Sequence, residues 1–466
     1  MNKRSTSDTT HKNRQPPFIA PLILLSLLAA YTTWLLAFWP GSMGEDSFAL
    51  IREIQGDGAF PSGKTAFWYF FVKLLFGPTQ RVEVPIGAQL ILCAIIFSRI
   101  LTWTRQNGLN RTFWFLLIFV CLAPHMVFFM GLLYSDGLFS VAMAGLTFEI
   151  WLVTRDRKLS LPSFVYIVLC LPFASFLRSN GMIFPFVVMA AAFLLPNQIQ
   201  KRGLLCAAVI WLAIGGFVLP RLHDSREHGA LYPLAVFETA NFLQPRPMGI
   251  WEESPRVSPA TILALTRAYP IERVIKSYDR DYWDPLVYRV DGPQLLTPRP
   301  EDRRTIVSEF FGYNLWHNVP AFVSSRINIF LVSALAQGGI FGPNLGPYLL
   351  KRFTSNSSAD FFQWEALTTA LLKIHHASES LRFILWTPFL GLYLSINLVR
   401  RGLREKNSSL LLAAAPMCVQ AVGIFFFSIA GEYRYLLPFF ASTAALLPIA
   451  LSSQKIEKTG VRHESI

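Results

Sequence analysis

The chain has 466 residues, of which 53% are hydrophobic and only 15% charged. A soluble protein carries roughly a quarter charged residues, so the composition excludes one and indicates a polytopic membrane protein. The net charge of +13 is spread through short loops between apolar runs, as the positive-inside bias requires, and is not gathered into a nucleic-acid footprint.

Lys3, Arg4, Lys12 and Arg14 precede an apolar run from Phe18 to Trp39. The run is too long for a signal-peptide core and has no small-residue cleavage site behind it, so it predicts an uncleaved first span with residues 1–17 as a cytoplasmic tail. Further spans are expected at 84–103, 112–131, 137–153, 161–177, 181–196 and 203–220, each near the ~20 residues that cross a bilayer. The loops with Arg105/Arg111, Arg155/Arg157/Lys158 and Lys201/Arg202 alternate as cytoplasmic loops do. That places 40–83, 132–136 and 178–180 outside.

From Arg221 to Leu381, Pro, Asp, Arg and Tyr become frequent and no clean span follows. Arg326 to Ala336 is apolar but stops at Gln337-Gly338-Gly339. The cluster Arg400, Arg401, Arg404 and Lys406 is cytoplasmic only if 326–336 does not cross. Spans at 382–399, 409–429 and 436–452 then complete about ten helices, ahead of a cytoplasmic tail at 453–466. The expected fold is an all-α polytopic membrane protein. A transmembrane module at 18–220 and helices at 382–452 flank an external segment at 221–381, which holds interfacial helices and packs against the membrane part. Cys93, Cys121, Cys170, Cys206 and Cys418 all lie in apolar segments without Cys-x-x-Cys spacing, which predicts neither a disulfide framework nor a thiolate metal site.

Gly58-Ala59-Phe60-Pro61-Ser62-Gly63-Lys64-Thr65 matches a phosphate-binding loop letter for letter. Such a loop needs an apolar strand before it and a nucleotide-binding α/β domain around it. The polar run Ile51–Asp57 precedes it instead, so the match reads as coincidence. Thr65–Phe71 begins an aromatic amphipathic segment expected to lie along the outer interface.

Two acidic stretches, Gly44-Glu45-Asp46-Ser47 and Tyr134-Ser135-Asp136-Gly137, stand at the ends of expected spans on the same, external side. Carboxylates at a membrane surface are functional candidates by default, although Asp46 is also a good helix cap and Asp136 a good turn residue. Arg178 in Leu177-Arg178-Ser179-Asn180-Gly181 and Arg434 in Glu432-Tyr433-Arg434-Tyr435 share that side. Arginine presents a charged fork suited to phosphate oxygens, or it anchors to lipid headgroups. His125 has no second ligand at helical spacing, and Glu149, Arg99, His375 and His376 read as structural.

In order and sidedness, Pro40-Gly41, Asp46-Ser47, Pro61 with Thr65, Tyr134-x-Asp136, Arg178-x-Asn180-Gly181 and Glu432-x-Arg434-Tyr435-x-x-Pro438 resemble the GT-C class of membrane glycosyltransferases. The resemblance is to bacterial relatives of protein O-mannosyltransferases and aminoarabinose transferases. It implies sugar transfer from a polyprenyl-phosphate donor to a glycan, lipid or protein acceptor at the outer face of the bacterial inner membrane. It implies Asp46 as the catalytic acid of the first external loop, acting as general base, and Asp136 as the second. Arg178 and Arg434 would face the leaving phosphate, with Glu45, Asn180 and Tyr435 completing the substrate-binding set. Phe60-Pro61 stands where relatives often carry a His-Pro pair. Two carboxylates and a phosphate also suit Mg2+ or Mn2+, with no metal ligand assigned. A transporter or flippase of lipid-linked glycan precursors, or a glycan polymerase or ligase, is the alternative.

Overall fold

The computed structural model describes residues 18–56, 62–223, 231–245, 256–267, 270–296, 298–337, 345–362 and 364–458. The N-terminal tail, residues 459–466 of the C-terminal tail, Pro61 and the start of the phosphate-loop match lie outside the described residues. Among the described residues the protein is helical, with isolated bridges but no strands.

Among the described residues seven helices are long and apolar enough to cross a membrane: Ile19–Ala37, Glu83–Gln106, Ser135–Asp156, Gln198–Leu222, Arg382–Arg404, Ser408–Phe427 and Tyr433–Ser452. The protein is thus a multi-pass helical membrane protein. The expected span at 112–131 is a pair, Asn110–Leu122 and Pro124–Met130, bent by 59°. Proline at the second helix's first position supplies no backbone N–H, so the bend falls there. The expected spans at 161–177 and 181–196 are the shorter apolar helices Leu161–Phe176 and Ser179–Phe193. Seven clear spans, or eight with the bent pair, therefore stand where the hydropathy pattern predicts about ten.

Ser135–Asp156 is the axis of the bundle. Its apolar residues run around the whole circumference, the mark of a helix buried on every side, and its spanning window is entirely buried. It packs against Glu83–Gln106, Leu161–Phe176, Ser408–Phe427 and Leu437–Lys458. Inside this packing, Arg99 Nε meets Glu149 Oε1 at 2.7 Å, so the charges within these spans neutralise each other as the structural reading expects. Ala66–Phe76, the expected interfacial helix, is capped by the Thr65 hydroxyl and buries Trp68, Tyr69, Val72 and Phe76 while exposing Leu74.

The segment expected to lie against the bundle has a core of its own. Tyr232, Phe237, Phe242, Leu265, Leu286, Ile306 and Phe310 gather there under Val319–Ala334. At its base is a fully buried ion pair, Glu238 with Arg326. Ser325 Oγ donates to Glu238 Oε1 at 2.7 Å, and Asn241 Nδ2 to Oε2 at 3.0 Å. Arg326 also donates to the carbonyls of Ser428 and, at 3.5 Å, Phe426, capping the C-terminus of Ser408–Phe427 and tying the segment to the bundle. Removing one partner of a buried pair strands the other charge. Arg326→Met is therefore expected to cost about 3–5 kcal/mol, read as a lowered unfolding midpoint in detergent. Joining it to Glu238→Leu is expected to recover much of that loss.

A candidate active site where three carboxylates meet three cations

The two acidic stretches are stitched together by backbone. Ser42 N–H donates to the Gly131 carbonyl at 3.1 Å, and Leu133 N–H to the Ser42 carbonyl at 3.0 Å. Ser47 Oγ donates to the Leu133 carbonyl at 2.9 Å, and Gln89 Nε2 to the Met130 carbonyl at 2.6 Å. A side chain on Gly44 would collide with the Tyr134 hydroxyl, and that hydroxyl accepts the Asp46 N–H at 3.4 Å. Both carboxylates are therefore fixed at one end of the bundle, Asp46 in the first turn of Glu45–Ile54 and Asp136 in that of Ser135–Asp156.

Gly44, not Asp46, stands at the N-cap of the first helix. The Asp46 side chain instead holds two cations on one oxygen: Oδ2 meets Lys64 Nζ at 2.6 Å and Arg434 Nη1 at 2.5 Å. Arg434 Nε also pairs with Glu432. Asp136, buried, pairs with Arg178. The Tyr435 ring lies between the two arginines, 5.0 Å from the Arg178 guanidinium and 5.6 Å from that of Arg434, which also stands 5.2 Å from the Tyr134 ring. Burial alone would raise the Asp46 carboxyl, but Lys64 and Arg434 outweigh it and hold the group well below the usual carboxylate range.

Asp46, Asp136, Arg178, Arg434, Tyr435 and Lys64 line one cavity of about 200 Å³. A second cavity, of about 540 Å³, adjoins it and shares Arg178, Ser179 and Tyr435. Its other walls are mostly apolar, among them Ile183, Leu231, Val419, Ile424 and Phe427. Val419 and Phe427 are also exposed on the flank of the apolar helix Ser408–Phe427.

Of the expected substrate-binding residues, Glu45 lines neither of these cavities and Asn180 lines the second one. Glu45 is exposed and pairs with Arg352 Nη1 at 2.9 Å, because consecutive helical residues point about 100° apart. Asn180 lines the second cavity, its carbonyl accepting from Gln420 Nε2 at 3.3 Å.

Two charged residues with no role expected from the sequence stand here, Lys64 in the lining of the first cavity and Asp284 at the end of a loop beside it. Lys64 belongs to the phosphate-loop match; no strand precedes it among the described residues, yet its ammonium reaches the site. Asp284 comes from the 231–337 segment. Its neighbours Asp281 and Tyr282 pair with Gly431 and Ala430, and the run Asp279-Arg280-Asp281-Tyr282-Trp283-Asp284 was the available signal.

The acidic pair was also a possible seat for Mg2+ or Mn2+. Asp46 and Asp136 each already hold a side-chain cation, so this donor set does not fit a divalent ion. Among the described residues no group of three or more His, Cys, Asp or Glu could hold one.

The chain matches no family model, no curated protein and no solved structure. Its site is therefore read from its own chemistry.

Proposed function

We propose that this protein is an integral-membrane glycosyltransferase of the GT-C kind, with about ten membrane segments when the bent and short helices are included. It transfers a sugar from a polyprenyl-phosphate donor to a cell-envelope acceptor at the outer face of the bacterial inner membrane. The observation that carries this reading is the pair of adjoining cavities. One is small and charged, the other larger and apolar, and they share Arg178, Ser179 and Tyr435. A molecule with a phosphate head and a long hydrocarbon chain matches both at once.

The chemistry follows from the charges. When the acceptor oxygen attacks the sugar's C1, the phosphate leaves with the bonding electrons and gains charge. Cations fixed in advance stabilise that change without reorganising. Lys64 and Arg434 do this while Asp46 holds them in place, each with N–H donors to spare for the phosphate, and Arg178 does so from the side held by Asp136. The rigid stacking on Tyr435 keeps the arginines in position.

Undecaprenyl phosphate binding to the purified protein tests this reading, with undecaprenol as the uncharged control. The phosphate is expected to bind and the alcohol to bind far more weakly. Lys64→Ala is expected to weaken phosphate binding by about tenfold or more, the worth of one charge-assisted hydrogen bond. Equal binding of phosphate and alcohol would remove the charged cavity from the account.

A further inference from the structure

The acceptor hydroxyl must give up a proton as it attacks, and Asp46 is poorly suited to take it. Lys64 and Arg434 both grip its Oδ2, and a carboxylate so held is a weak base. Another carboxylate stands at the end of a loop beside this cluster, outside the lining of either cavity. Tyr282 is bridged antiparallel to Ala430, and Gly431 N–H donates to the Asp281 carbonyl at 2.7 Å. Asn328 Nδ2 donates to Asp281 Oδ1 at 2.7 Å and to the Arg280 carbonyl at 3.2 Å. This loop is thus pinned to the stretch that carries Glu432 and Arg434. Asp284 follows directly, within electrostatic reach of Glu432, Arg434 and Asp46.

Asp284 differs from the other carboxylates of the cluster in two ways. As a residue it reaches the surface, although its carboxyl is partly shielded, whereas the side chain of Glu432 is only 17% exposed and that of Asp46 30%. Among the described residues no cation is ion-paired with it. It is open both to an acceptor arriving from water and to proton exchange with water.

We propose, on the transferase reading above, that Asp284 receives the acceptor's proton and that Asp46 orders the two cations. The acceptor oxygen forms its bond to C1 as the bond from C1 to the phosphate oxygen breaks. The phosphate leaves with that electron pair, and the hydroxyl proton passes to Asp284 and then to bulk water. Partial burial and the carboxylates of Glu432, Asp46 and Asp279 push Asp284 up to about 6, against the lowering effect of Arg434. The phenols of Tyr282 and Tyr288 also face it. A base with this affinity for protons is matched to transfer near neutral pH.

The test uses cells with the wild-type protein, without it, and with Asp284→Asn or Asp284→Glu, reading surface glycan and lipid-linked sugar. No difference between wild-type and null cells overturns the transferase reading and the proposal with it. Where they differ, Asp284→Asn is expected to lower transfer by about 10²-fold or more and to let the lipid-linked sugar accumulate. The purified variant is expected to keep its undecaprenyl phosphate affinity within about twofold, as a group acting on the acceptor should. Asp284→Glu should retain part of the activity. Wild-type transfer should fall about tenfold per pH unit below about pH 6, because the base is then protonated, and Asp284→Asn should lack that limb. Asp284→Asn transferring within about threefold of wild type overturns the proposal, and so does a loss of phosphate affinity alongside transfer, which makes Asp284 structural.

Discussion

Asp46→Asn is expected to lower sugar transfer by about 10²–10³-fold, the usual loss when a preorganised electrostatic site is dismantled, while the protein remains folded and inserted. The amide keeps the shape of the carboxylate but loses the charge that holds Lys64 Nζ at 2.6 Å and Arg434 Nη1 at 2.5 Å. Asparagine caps helices as well as aspartate does, so a capping role would leave the variant unharmed. Affinity supplies a second signature. The carboxylate competes with phosphate for the two cations, so undecaprenyl phosphate should bind Asp46→Asn at least as tightly as wild type while turnover collapses. Weakened binding together with normal turnover would contradict this role.

Arg434→Ala is the second large loss. Arg434 joins Asp46 to Glu432 and rests against the rings of Tyr134 and Tyr435. Without it two carboxylates face each other across a partly buried site and the leaving phosphate loses a cation. The expected fall in kcat/KM is about 10²–10³-fold, much of it as a raised KM for donor. Arg434→Lys is not expected to rescue, because an ammonium cannot bridge two carboxylates as a planar fork and stack on both rings. Unchanged dependence on donor concentration in Arg434→Ala would leave the side chain only an anchoring role.

Much of the architecture was legible in the sequence because bilayer physics writes it in a simple code of apolar runs and basic loops. The convergence of Asp46, Asp136, Arg178, Arg434 and Tyr435 was legible too, since each ends an apolar run on the side opposite the basic loops. Other features carry no such code. The bend at Pro124 and the short helix Leu161–Phe176 leave hydropathy almost unchanged, so they read as full spans. Glu45 adjoins Asp46 in sequence but is turned away by helical geometry to meet Arg352. Lys64 lay inside a motif whose familiar meaning does not apply, although the ammonium still serves an anionic site. Asp284 and Arg326 sit in a segment without strong periodicity; tertiary pairing with residues 426–431 ties Arg326 to the bundle and brings the loop before Asp284 beside the cluster.

On the proposed function, the two adjoining cavities hold one lipid-phosphate sugar donor. The most direct measurement compares lipid-linked sugars and surface glycans in cells with and without this protein. Cells without it are expected to lose a sugar from an envelope glycan and to accumulate the matching polyprenyl-phosphate sugar on the outer leaflet. Unchanged glycans, or a donor that accumulates only on the cytoplasmic leaflet as it would for a missing flippase, would contradict that function.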